Sequence, residues 1–415
     1  MKLALLGADD DSLNLTHWAV EYGGHQLVAA YDSELHFQAL RAITPQIRLN
    51  DSWEELFLAS VADAVIIGRG GKESAAPTNI DPAERRADQL RKLVQAAVPM
   101  IVVCPACEAI VGFEIDMIRR DTKAIVIPYV HGASHPAIDH LAEWRLQEDA
   151  SPIGKVEQIS LEREQADRSR DSVLLRLARD ASLMREFIGT IQTISATGPL
   201  TAIGRDPLGP KSKELPSLAN LSVHFGGDEE LSARWSMAPA LDHDLGRLTI
   251  IGERGKATLT MPAEGDWSLH MPGGEATTEP ASLANDAEQV FSWLTHAMGT
   301  DEFYDADSWL AACRDQEAAE AVDRSLARGR TIELFNEEHT EQESFKGIMA
   351  MGGCLLLLLA LGVVFIAVIV EGLQLPLREW RLWRLWPIYL LVPIVAFLLL
   401  QLLQLAVKRD VSVVR

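Results

Sequence analysis

The chain has 415 residues, with 38 Lys or Arg against 59 Asp or Glu and a formal net charge of −21. An acidic balance of this size excludes nucleic acid as a partner, because phosphates need basic surfaces. Four scattered cysteines exclude a disulfide framework and fit a reducing compartment.

The first stretch, Met1–Ser12, is an apolar run ending at Gly7, then a polar turn, with helical spacing resuming over Leu13–Val20. This is how a dinucleotide-binding βαβ unit opens, a strand feeding a helix N-terminus that can hold a pyrophosphate. Such turns carry three glycines. Here only Gly7 stands, with Asp9 and Ser12 at the other two places and Asp10 and Asp11 beside them. Carboxylates at that position oppose a diphosphate.

His25–Ala30 reads as the second strand, and Asp32 follows 25 residues beyond Gly7. That is where NAD-type folds bind ribose hydroxyls. The same residue also suits a simple turn, Tyr31-Asp32-Ser33, and both readings stay open. Asp51–Glu54 has capping-box spacing for a helix start. Ala62–Gly68 is a buried-type strand, Asp81-Pro82 caps a helix reaching about Ala97, Pro99–Val103 is a strand and Glu108–Arg120 a helix. Ala124–Ile127 closes the unit, and the alternation predicts a doubly wound parallel sheet.

Over about residues 1–335 the chain resembles the Gfo/Idh/MocA oxidoreductases, the glucose–fructose oxidoreductase and inositol dehydrogenase type. The residues that carry this are Asp63–Ile67, Pro99–Cys104, His135-Pro136-Ala137, Arg179–Ser182 with Leu183–Gly189, Leu248–Leu259 and Ala321–Leu334. The resemblance implies NAD(P), a small sugar-like ligand and a homo-oligomer. It also implies a catalytic lysine and histidine, and the matching positions here are Ala106 and Arg179, while the acid Asp180 is kept. A methyl group transfers no proton, and a guanidinium does not cycle as a base near neutral pH.

Cys104-Pro105-Ala106-Cys107 lies between a strand and a helix, the setting of an activated thiol pair, or of two small buried side chains. His131, His135 and His140 with Asp139 invite a metal reading, but their spacing across Gly132 and Pro136 favours a surface loop. Asp242-His243-Asp244 reads as a polar turn. Residues 128–335 read as an α+β domain with a mainly antiparallel sheet, and Thr201–Ser217 as an exposed loop.

An acidic linker, 336–346, precedes two uncharged stretches, 347–370 and 385–407, of 24 and 23 residues. At the helical rise these reach about 36 and 34 Å, enough for a hydrocarbon core of about 30 Å. Trp380, Trp383, Trp386 and Tyr389 with Arg378, Arg381 and Arg384 resemble an interfacial belt. Residues 346–415 carry seven Lys or Arg and three acids, +4, which leaves −25 for residues 1–345. No signal peptide is read before the first strand. The sequence therefore predicts a Rossmann-type domain, 1–127, the α+β domain, and two transmembrane helices with the soluble domains cytoplasmic.

The functional expectation is a membrane-anchored Gfo/Idh/MocA-like protein with a degenerate nucleotide and catalytic site, in a binding, regulatory or scaffold role. The alternative is an active NAD(P)-dependent dehydrogenase of a sugar or cyclitol, with other residues in the catalytic roles. A third reading is a membrane thiol oxidoreductase using Cys104 and Cys107. No metal is expected.

Overall fold

The structure is a computed structural model. It describes residues 1–334 except 59–60, 70–80, 134, 147–150, 199–217, 219, 228–230, 241–242, 264, 275–276, 280–282 and 301–306, and beyond these only 358, 361–362, 364–370, 372 and 395. The chain divides into two compact units, Met1–Asn336 and Glu337–Arg415.

The first unit contains two sheets. In the first, β1 (Lys2–Leu6), β2 (Gln26–Tyr31), β3 (Leu49–Asn50), β4 (Ala64–Ile67), β5 (Met100–Val103) and β6 (Val126–Tyr129) lie in the order β3-β2-β1-β4-β5-β6, all parallel. Continuous apolar runs suit strands buried on both faces. Leu3 and Leu5 pack on one face with α1 (Asp10–Glu21), α2 (Phe37–Ile43) and α7 (Leu283–Gly299), whereas Ala4 and Leu6 pack on the other with α3 (Pro82–Gln95), α4 (Ala109–Thr122) and α8 (Asp307–Arg328). Late parts of the chain thus return to cover the first sheet. Such contacts leave no local signal in sequence.

This strand order reverses direction between β1 and β4, which opens a crevice at their carboxyl ends. Two glycines shape it. Gly7 has φ +70°, a left-handed turn that glycine adopts without strain. A Cβ on Gly68 would come within 2.5 Å of the Gly7 carbonyl oxygen and 2.7 Å of Ser12 Oγ, so only hydrogen fits there.

Nine strands make the second sheet, β7 (Val156–Gln165), β8 (Thr193–Thr197), β9 (Ser222–Gly226), β10 (Ser232–Pro239), β11 (Leu245–Gly252), β12 (Gly255–Pro262), β13 (Trp267–His270), β14 (Thr277–Glu279) and β15 (Ile332–Glu333). Their order is β14-β13-β12-β11-β7-β10-β9-β8-β15, antiparallel except for the parallel pair β7 and β10. Ile159, Leu161, Trp235, Leu248 and Leu259 bury one face in a core shared with α5 (Pro136–Leu146), α6 (Arg170–Ile188) and α8. On β7 the alternation carries Arg163 and Gln165 onto that same buried side, where the stripe turns from apolar to polar.

Two local expectations change. Instead of a capped α-helix after Asp51, a short 3₁₀ helix runs over Trp53–Phe57, and Ser52 makes no side-chain cap. His135 is fully buried rather than on a surface loop. Thr201–Ser217, Asp242 and the linker lie outside the described residues.

The membrane hairpin is corrected more deeply. Among the described residues no helix is long and apolar enough to cross a membrane. Most of 347–370 and 385–407 lies outside the described residues. Hydropathy measures how apolar a stretch is and leaves unspecified whether one unbroken helix carries it. The transmembrane helices, the membrane as partner and the cytoplasmic two-span topology lose their support together.

Candidate active site

A cavity of about 420 Å³ lies between the carboxyl end of the parallel sheet and the second sheet. Asp10 and Asp11 reach it from the start of α1, His131 from just beyond β6, Arg163 from β7, Arg176 and Arg179 from α6, and Trp267 from β13.

His131 stands two residues past the end of β6, where loops of parallel sheets present reactive groups. Its Nδ1 lies 3.7 Å from Asp286 Oδ2, beyond hydrogen-bond range and an ion pair only when the ring is protonated. Asp286 is buried on α7 and is held by the Gly132 N–H, which donates to Oδ2 at 2.6 Å. Burial lowers the His131 pKa from its ordinary value. Asp11 opposes that shift, and the guanidiniums of Arg179, Arg176 and Arg163 reinforce it.

Three of the resemblance's site positions are accounted for here. Arg179 lines the cavity and pairs with Asp11 through its Nη2. Burial draws its pKa down to about 10, against the pull of Asp11, so it stays charged at neutral pH. Asp180 also lines the cavity, but its carboxylate is spent on structure. It accepts Arg163 Nε at 2.8 Å, Arg163 Nη2 at 2.5 Å and Trp235 Nε1 at 2.8 Å. Ala106 instead lines a narrow pocket with Cys104, Cys107 and Cys313.

The turn between β1 and α1 differs from an open glycine turn. Asp9 caps α1, accepting the Ser12 N–H at 2.9 Å, while Ser12 Oγ accepts the Asp9 N–H at 2.9 Å. Arg69, directly after Gly68, donates its backbone N–H and its Nε to Asp9 Oδ2 at 2.7 and 3.1 Å, and its Nη2 to Asp11 at 2.8 Å. Burial works against the Asp9 carboxylate, yet the Arg69 charge and these hydrogen bonds hold its pKa below the ordinary value. Asp32, at the end of β2 with φ +49°, accepts Arg85 Nη2 at 2.6 Å and Gln89 Nε2 at 2.7 Å.

Arg69 Nη1, Arg86 Nε and Arg179 Nε are buried and make no hydrogen bond among the described residues. Guanidinium donors left unspent beside a helix N-terminus fit a diphosphate, though through side chains rather than through the helix amides.

The histidines do not gather. His135 stacks on the Trp267 ring with centroids 3.9 Å apart, and His140 packs edge-on against Trp144. Cys104, Cys107 and Cys313 carry no disulfide. Burial pushes the Cys107 thiol up to about 12 and raises Cys104 and Cys313 further above their ordinary range. A helix-activated thiol pair needs the opposite shift. In native protein these three thiols should react with a disulfide reagent far more slowly than after unfolding. Rapid native labelling at neutral pH would restore the thiol reading.

The sequence singles out none of Asp286, Arg69 and Arg86, and it marks His131 only within the weighed metal cluster and its surface-loop reading. The position of His131 just past a predicted β-strand was the available signal, since that is the reactive end of a parallel sheet.

No protein-family model and no curated protein matches the chain. Solved structures do. A myo-inositol dehydrogenase from Corynebacterium glutamicum is 15% identical over 80% of this chain and 98% of its own, with TM-score 0.56. An oxidoreductase from Agrobacterium radiobacter, solved with NAD⁺, L-tartaric acid and magnesium, is 15% identical over 80% and 98%, with TM-score 0.57. An oxidoreductase from Thermotoga maritima is 17% identical over 80% and 98%, with TM-score 0.61. Identity this low shows the fold alone. The fold is of the Gfo/Idh/MocA oxidoreductase type, and it resembles that of NAD(P)-binding enzymes.

Proposed function

We propose that this chain is an NAD(P)-linked dehydrogenase of a small polyhydroxylated compound, a sugar or cyclitol, with His131 as its acid–base group. The expected scaffold role gives way to this alternative. The observation that carries it is the His131–Asp286 pair facing the cavity that Asp10 and Asp11 of the nucleotide turn also line.

Elimination supports the same residue. Ala106 has no proton to give, and Arg179 keeps its charge. His135 is buried with Nδ1 accepting the Ala137 N–H at 3.1 Å. His131 has its pKa below the ordinary 6.5, so it is neutral at pH 7 and able to take a proton. Because Nδ1 faces Asp286, Nε2 is left for the substrate hydroxyl. Asp286 then stabilises the imidazolium that forms.

The cavity suits a polyol. Glu164 and Asp244 offer acceptors, Arg176 and Arg179 offer donors, and Trp267 offers a ring. A hydroxyl group uses both kinds of partner. Arg69 and Arg86 would hold the cofactor's diphosphate, with Gly7 shaping the turn and Asp32 beside the ribose. Bound there, the nicotinamide would exchange a hydride with the carbon that bears the hydroxyl. The myo-inositol dehydrogenase named above gives the first compound to try.

Purified chain should bind NADH saturably, seen as a rise in nicotinamide fluorescence, and should reduce NAD(P)⁺ with a member of a sugar and cyclitol panel. Absence of NADH binding at millimolar concentration would remove this reading.

A further inference from the structure

Five charged side chains from four parts of the fold meet at the β1–β4 crevice. Asp11 Oδ2 accepts Arg69 Nη2 at 2.8 Å and also Arg179 Nη2. One oxygen therefore serves two guanidiniums, one following β4 and one on α6. Asp9 holds the rest of Arg69. Arg86, 5% exposed, spends Nη1 on the Leu6 carbonyl at 3.2 Å, and its Nε has no hydrogen-bond partner among the described residues. Burial lowers its pKa to about 10, with Asp32 and Asp9 opposing, so it is charged at neutral pH.

Arg69, Arg86 and Arg179 against Asp9 and Asp11 leave one positive charge in excess, and each guanidinium keeps one buried nitrogen without a hydrogen bond among the described residues. Buried charge and unsatisfied donors are both costly unless something answers them. A ligand with several anionic oxygens would answer both. Asp11 already occupies part of that role.

We propose that Asp11 is an internal competitor for a diphosphate-bearing ligand. A diphosphate entering beside Arg69 takes that guanidinium from Asp11 and leaves the carboxylate to Arg179 alone, whose side chain lines the polyol cavity. Occupation of the crevice and of the cavity are thereby coupled through one carboxylate. The identity of the natural ligand rests on the dehydrogenase reading, but the anion site itself does not.

The test is calorimetric titration of the full chain with inorganic pyrophosphate. Asp11→Asn removes the competing charge and keeps the shape, so it should tighten pyrophosphate about tenfold, within the range typical of coupled sites. Arg69→Gln should abolish binding in both backgrounds. If Asp11→Asn melts well below the parent, Asp11→Ser serves in its place. Equal affinity for parent and Asp11 variant, or undiminished binding by Arg69→Gln, overturns the proposal, as does no binding by any of them. Tighter pyrophosphate in the variant with no NADH binding would keep this proposal and remove the dehydrogenase reading.

Discussion

Replacing His131 by Asn should cut polyol oxidation by about 10²–10⁴, the usual worth of a positioned acid–base group, with little change in NADH affinity. The reason is placement. His131 lies in the cavity, while the guanidinium groups assigned to the diphosphate lie on β1–β4 loops and on α3. Asp286→Asn should lose less, because Asn can still accept the Gly132 N–H and keep the loop in place. A loss confined to KM in the His131 variant would mean that the ring only binds.

The pH profile separates these roles. Burial holds the His131 pKa below 6.5, with Asp11 opposing and the three arginines reinforcing. The neutral base is therefore populated at pH 7, and kcat should fall only below about pH 6.5. That acid limb should vanish in His131→Asn. The same shift fixes a stability trend. With the folded pKa below the unfolded one, the unfolded chain binds more protons between the two values. The stabilisation is complete above the unfolded pKa and is lost as pH falls through it towards the folded one.

The parts of the molecule differ in how far sequence revealed them, and the difference follows range. Lys2–Leu6 is legible because a strand buried on both faces must be apolar throughout, and Asp81-Pro82 because a cap and a first-turn proline are local. The site is not local. Asp11 meets Arg69 across 58 residues and Arg179 across 168, and Gly132 meets Asp286 across 154. No window of sequence contains such a pair. The acids at the turn were visible as an obstacle to a phosphate, but the guanidiniums that answer them come from β4, α3 and α6. For the same reason Asp180 carries in sequence only its match to a family site position, and its contacts with Arg163 and Trp235 on neighbouring strands become visible only in the fold. The hydropathic tail failed differently, because composition alone does not specify a continuous helix.

Asp180→Ala should be among the most destabilising single changes in the first unit, by about 3–5 kcal/mol, the range found when one partner of a buried ion pair is removed. Asp180 is 1% exposed, and it accepts two hydrogen bonds from Arg163 and one from Trp235. Alanine would strand a guanidinium on a strand whose neighbours Ile159 and Leu161 are fully apolar, and would leave the Trp235 N–H unsatisfied. Asn should cost less, since it can still accept from Trp235. The informative partner is the double change Arg163→Met with Asp180→Leu. Replacing both charges by apolar groups of similar volume is often neutral or stabilising, so the double variant should recover most of the loss. Urea midpoints at constant slope measure the three differences. A single Asp180→Ala costing less than about 1 kcal/mol would show that water reaches Arg163 from the cavity side and pays the desolvation there. In that case Arg163 belongs with Arg176 and Arg179 as a ligand-facing cation rather than with the core of the second sheet.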